Sequence, residues 1–162
     1  MLKLLIKLVV GFFLALLILV GLGISGAYFY IWPTFLNDQK LNVSDTVIVE
    51  LANILEEKKF YPAPYEFYFG APSENIRIDA EAKVNLALKE IIQAVKTNPK
   101  KSAVLFSIKS SLKNFQEFDS EENERALYYF ERVLEILNIH SSNELFNVWR
   151  YGFPYGWFLK NA

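Results

Sequence analysis

Between Lys7 and Asp38 the chain contains no Asp, Glu, Lys, Arg or His, and the intervening residues are mostly Leu, Ile, Val, Phe and Gly. A stretch of that length cannot remain in water as an exposed helix, and a bilayer core needs only about 20 helical residues to cross. The run therefore predicts a single N-terminal transmembrane helix, with residues 8–32 in contact with the lipid bilayer and residues 1–36 forming the anchor. Lys3 and Lys7 precede it, whereas Asn37-Asp38-Gln39-Lys40 after it is close to neutral. The positive-inside bias then puts the N-terminus in the cytoplasm and everything after the helix outside, in a periplasm or beyond a plasma membrane. Tyr28, Phe29, Tyr30 and Trp32 suit the outer water boundary, and Pro33 ends the helix. A cleavable signal peptide is the competing reading, because Ser25-Gly26-Ala27 offers a cleavage site after Ala27. Against it, the apolar run exceeds the usual length of about 7 to 15 residues.

With Lys3 and Lys7 set aside, 15 basic residues face all 18 acids beyond the anchor, a net charge of −3. That balance lacks the basic footprint of nucleic-acid binding. The absence of cysteine removes disulfides, thiol chemistry and cysteine lipidation.

After a short tether at 37–43, residues 44–162 carry apolar positions at helical spacing. Val47, Leu51, Ile54 and Leu55 mark a helix opening near Ser44 or Asp45. Val84, Leu88, Ile91, Ile92 and Val95 mark a second, predicted to start at Asp79 and stop at Asn98-Pro99. Val104, Leu105, Ile108, Leu112 and Phe115 form a third stripe, and Leu127, Phe130, Leu134 and Leu137 a fourth. Asp119 and Glu122 have capping-box spacing at the start of that fourth helix. A short fifth helix, from about Ser141 or Ser142, carries Leu145, Phe146 and Trp149 and stops at Gly152. The fold class is all-α: the anchor followed by a compact bundle of about five helices, each burying its stripe on the others.

Two segments rich in Pro, Gly and aromatics interrupt this pattern, Phe60 to Asp79 and Trp149 to Phe158. They are expected to pack on each other and close the bundle, with Tyr61, Tyr65, Phe67, Trp149, Tyr151 and Phe153 as a structural aromatic cluster. Arg77 and Arg150, each among apolar neighbours, are expected to clamp the loop to the tail or to bind a ligand. With Tyr155, Trp157 and Phe158 they make up the candidate binding surface.

Conventional catalytic signatures are missing. Ser110 and Lys113 fit S-x-x-K, the pattern of a serine hydrolase, but no K-T-G follows, since Lys96-Thr97-Asn98 lies upstream. Two serines and a lysine on one side of an amphipathic helix also read as an ordinary solvated face. His140 is the single histidine. With no cysteine beside it, the ligand set argues for no metal, and no nucleotide or flavin loop argues for a cofactor.

Taken together, Phe60 to Gly70, Asn98-Pro99, Glu121 to Phe130, Ser141-Ser142 and Trp149-Arg150-Tyr151-Gly152-Phe153 resemble a family of small bacterial all-helical domains, a domain of unknown function. The similarity covers most of residues 60–153 and leaves the anchor outside. It departs after Ser-Ser, where Asn143-Glu144 stands in place of Asp-Gly. The resemblance implies a helical fold and no assigned catalytic residues. The residues thus favour a membrane-anchored, outward-facing, non-enzymatic module with a protein partner, one version being an immunity-type protein against a cell-envelope toxin. The rivals are a small envelope hydrolase using Ser110 and Lys113, and a structural subunit assembled through the anchor.

Overall fold

The computed structural model describes residues 2–31 and 38–152. It divides into two units, Met1–Asn37 and Asp38–Ala162. In the first, helix α1 (Leu2–Ile31) contains a 22-residue stretch, Leu5–Gly26, with mean hydropathy 2.8. At 1.5 Å per residue that stretch is about 33 Å long, enough for the hydrocarbon layer. Its large apolar side chains from Leu5 to Ile24 are exposed on every side, so α1 has no face suited to water.

Among the described residues the second unit has no strand beyond isolated bridges, and its α-helices are α2 (Asp45–Glu56), α3 (Glu74–Thr97), α4 (Lys101–Leu112), α5 (Ser120–Ile136) and α6 (Leu145–Tyr151). The expected five-helix, all-α bundle is what forms. Its core is assembled from the stripes read in the sequence. Leu51 and Ile54 of α2, Val84, Leu88, Ile91 and Val95 of α3, Val104, Ile108 and Leu112 of α4, and Leu127, Phe130 and Val133 of α5 are all buried together. Phe115, in a short 3-10 turn after α4, stacks between Phe118 and Phe130, at 5.5 and 6.4 Å between ring centres.

The helix ends show which predictions need correcting. Ser44 caps α2, its hydroxyl accepting from Val47 N at 3.3 Å. α3 begins at Glu74, not Asp79, because Ser73 accepts from Ile76 N at 3.4 Å; Arg77 and Asp79 are inside the helix. Asp119 is the N-cap of α5 by backbone conformation, but its side chain makes no capping bond, so the capping box does not close. Glu122 turns into the core instead. Buried Lys59 finishes α2 from outside, its ammonium donating to the carbonyls of Leu55 and Glu57 at 3.2 and 2.8 Å.

The tether expected at 37–43 belongs to the bundle from Asp38 onward. Asp38 caps α4, its carboxylate accepting from Ser102 N at 2.9 Å and Ser102 Oγ at 2.5 Å. Lys101 N donates to Gln39 O and Leu41 N to Pro99 O, while the Gln39 amide donates to Asn138 O beyond α5. These contacts gather the start of the second unit, the α3–α4 turn and the end of α5 at one end of the bundle. From there the helices run alternately away and back, and the segment 57–73 that joins α2 to α3 lies at the other end, against the first turns of α5.

Candidate functional site

Residues 60–71 form a small pinned hairpin. Ala63 and Tyr68 exchange both backbone hydrogen bonds, at 2.8 and 3.2 Å, around a 3-10 turn at Pro64–Glu66. Ala71 N closes the base by donating to Phe60 O at 3.2 Å. Gly70, at φ +95°, lies so close to the Pro62 ring that a Cβ there would meet it at 2.9 Å; only glycine fits.

Two aromatics anchor this hairpin. Phe60 is buried and sits 5.7 Å from the Tyr129 ring and 6.5 Å from Tyr68. Tyr68 is buried as well, and its hydroxyl donates to the Glu122 carboxylate of α5 at 3.3 Å. Burial, together with the neighbouring Glu122 charge, pushes the phenol far above its ordinary pKa, so it stays a donor. Desolvation raises Glu122 too, with partial offset from its backbone and Tyr68 hydrogen bonds. Arg125 completes the support. Its guanidinium lies 4.4 Å from the Tyr128 ring and 5.2 Å from those of Tyr68 and Tyr129, and it forms an ion pair with Glu66 at the turn. That pair holds the Glu66 carboxyl below its usual range.

The hairpin's other aromatics face solvent: Tyr65 is 100% exposed, Phe67 90% and Phe69 78%. Phe67 also holds a left-handed backbone conformation, φ 55°. For a bulky residue that conformation costs about 1–2 kcal/mol, and at this exposure no packing offsets it. Beside Phe67 opens a cavity of about 290 Å³, lined by Tyr68, Tyr128 and Arg125 and by the acids Glu66, Glu121 and Glu124. The arrangement is a fixed aromatic knuckle with an acidic border. It presents contact area; it assembles no nucleophile with a base.

The sequence-predicted residues are distributed differently from expectation. Tyr65 and Phe67, assigned to a structural cluster, are instead the exposed display, while the buried pair is Phe60 and Tyr68. Tyr61 is 42% exposed and lies 4.6 Å beneath the Arg77 guanidinium. Arg77 is held within α3 by Glu74 through two bonds of 2.8 Å and by Glu81 at 2.5 Å, and it reaches the hairpin by lying over Tyr61 and donating to Lys59 O at 3.4 Å. Arg150 forks onto Glu124 at 2.7 and 2.6 Å and so ties α6 to α5. Arg77 thus ties the hairpin to α3 and Arg150 ties α6 to α5, and among the described residues neither joins loop to tail. Trp149 is half-buried against the core and Tyr151 is 51% exposed, so Tyr151 is not the buried closing piece expected. Phe153, Tyr155, Trp157 and Phe158 lie outside the described residues.

Ser110 and Lys113 are exposed one turn apart on α4 and its 3-10 extension, and buried Ser111 returns its hydroxyl proton to Ser107 O at 2.9 Å. His140 is exposed beside a broad cleft of about 740 Å³. Among the described residues no group of three or more His, Cys, Asp or Glu is placed to hold a metal ion.

Phe69, Tyr68, Glu122 and Arg125 were missed as site residues. The aromatic run Tyr65-Glu66-Phe67-Tyr68-Phe69 marked the segment but not its inward face, because it passes through a 3-10 turn and a left-handed residue and so follows no strand period.

No curated protein and no solved structure matches this chain. A family model does, over residues 42–154, which takes in the hairpin, all five bundle helices and every buried anchor described above. The chain therefore belongs to the DUF4844 family, a domain of unknown function.

Proposed function

We propose that this chain is a membrane-anchored, outward-facing binding module that engages a protein partner through Tyr65, Phe67 and Phe69. The observation that carries the reading is Phe67: a fully displayed aromatic in a left-handed conformation, on a loop otherwise fixed by Phe60, Tyr68 and Gly70. Strain without a packing return is retained where the side chain is used. Aromatics are the residues that dominate binding hot spots, and a preformed loop avoids the ordering cost of association. At the border Glu66 and Glu124 are already paired with Arg125 and Arg150, so the surface is offered chiefly through its exposed aromatics.

Anchoring is supported by the length and uniform apolarity of α1, and an outward-facing domain in the plasma membrane by Lys3 and Lys7 ahead of it. The immunity-type version of this reading would seat a cell-envelope toxin on the hairpin. A hydrolase using Ser110 and Lys113 finds less support, as both side chains are exposed on a helix surface with no base positioned between them.

The test is recovery of the full chain from mildly solubilised envelope. Tyr65→Ser/Phe67→Ser/Phe69→Ser should lose a co-purifying polypeptide that the parent chain and Leu86→Ser, an exposed apolar control on α3, both retain. Equal recovery by all three removes the hairpin from the interface.

A further inference from the structure

The opposite end of the bundle has a different chemistry. Lys40 and Lys100 face each other as an isolated antiparallel bridge, so two like charges stand directly across from one another, an arrangement that repels. Lys96, in the last turn of α3, is the third exposed lysine there. No ion pair within 4 Å engages any of the three among the described residues. Of the acids at this end, Asp38 spends both oxygens on Ser102, Glu135 stands on the last turn of α5, and Asp45 lines the groove with Lys96 but lies beyond ion-pair distance of it. The Lys101 ammonium is held by Asn143 at 2.7 Å. Beside these lysines runs a groove of about 720 Å³ whose apolar walls are Leu41, Val43, Ile48, Val49 and Val95, with Lys96 and Asp45 as its charged lining.

Apolar walls bordered by unpaired ammonium groups are the composition of a surface that rests in a lipid headgroup layer. This end is also where the chain enters the bundle. The hairpin, by contrast, is remote from it. Tyr68 contacts Glu122 in the first turn of α5 and Gln39 contacts Asn138 just past its end, and the helix from Glu122 to Ile136 is about 21 Å long at the helical rise.

We propose that the Lys40/Lys96/Lys100 end docks on an anionic phospholipid surface, with the lysines on lipid phosphates and the groove against the acyl boundary. Docking there leaves the aromatic hairpin free for its partner. The proposal rests on the anchoring reading above.

The chain has no cysteine, so single labelling sites can be introduced. Full-length Asn98→Cys, carrying a donor fluorophore, is placed in nanodiscs of phosphatidylcholine with or without phosphatidylglycerol, each containing a headgroup-linked acceptor. Energy transfer should rise in the anionic discs and fall back in high salt. It should also be lost in Lys40→Gln/Lys96→Gln/Lys100→Gln, where each lysine contributes about a fivefold preference for the anionic surface. A Tyr65→Cys label should show no such rise. Equal transfer in both lipids, or an undiminished rise in the triple variant, overturns the proposal. Abolition of the rise by millimolar inorganic phosphate assigns the lysines to a small soluble anion and overturns it as well. Failure of the chain to enter discs at all instead refutes the anchoring reading, and the docking proposal falls with it.

Discussion

Phe60 and Phe67 are the same residue type, seven positions apart, both with positive φ at 62° and 55°, and the account gives them opposite roles. Phe60 is 1% exposed among Tyr68 and Tyr129, so Phe60→Ala should cost about 3–5 kcal/mol from lost burial and the cavity left behind. For a bundle of this size that corresponds to a fall of roughly 12–20 °C in Tm. Phe67 is 90% exposed, so Phe67→Ala should alter stability by no more than about 0.5 kcal/mol. Phe67→Gly relieves a left-handed penalty of about 1 kcal/mol and adds a similar freedom to the unfolded chain, so the two nearly cancel. Thermal unfolding of the detergent-solubilised full chain, followed by near-UV circular dichroism, reads all three variants. A fall of 8 °C or more for Phe67→Ala would mean that this ring packs, and a harmless Phe60→Ala would mean that the hairpin is not anchored as described. Either result refutes the division between anchor and display.

Three further outcomes are expected. Because burial raises the Glu122 carboxyl in the folded state, its stabilising contribution is complete at low pH and is lost as pH rises through the folded value. Glu122→Gln, which can still accept from Tyr68, should therefore be the more stable protein at pH 7, and its advantage should shrink as Tm is measured down towards pH 4.5; a constant gap would contradict the buried charge. Asp38→Ala should lower stability by about 1 kcal/mol through loss of the α4 cap, seen as a drop of a few degrees in Tm, although Asp38 precedes the family match. An unchanged Tm would show that Asp38 is not the cap. Gly70→Ala, with φ +95° and the Pro62 ring at 2.9 Å from the new Cβ, should cost about 1–3 kcal/mol by the same measurement, and no loss would mean the hairpin relaxes freely.

Much of the bundle was legible because burial on helices leaves a period. Leu51 and Ile54, Val84 to Val95, and Leu127 to Leu134 are core positions in both the sequence pattern and the fold. The start of α3 was not, since Ile76-Arg77-Ile78 reads as a loop flanking an arginine; the usable cue was Ser73 followed by Glu74, Arg77 and Glu81 at helical ion-pair spacing. Asp119 and Glu122 had capping-box spacing, but Tyr68, 54 positions earlier in the chain, takes Glu122 into the core. No local pattern encodes such a partner. The aromatic loop was recognised by composition, which counts rings without saying which face inward. The turn closed by the Ala63–Tyr68 bridge and the contacts of Tyr68 with Glu122 and Phe60 make that choice, burying Tyr68 and leaving Tyr65, Phe67 and Phe69 outside.

A photo-crosslinking amino acid placed at single positions of the full chain in the intact envelope decides whether the hairpin is the surface by which an anchored module meets its partner. Substitution at 65, 67 or 69 should yield a discrete adduct with one envelope polypeptide, and substitution at 86 or at 106, exposed apolar positions on α3 and α4, should not. Adducts of equal yield from all five positions, or a specific adduct from 86 or 106 alone, would contradict it.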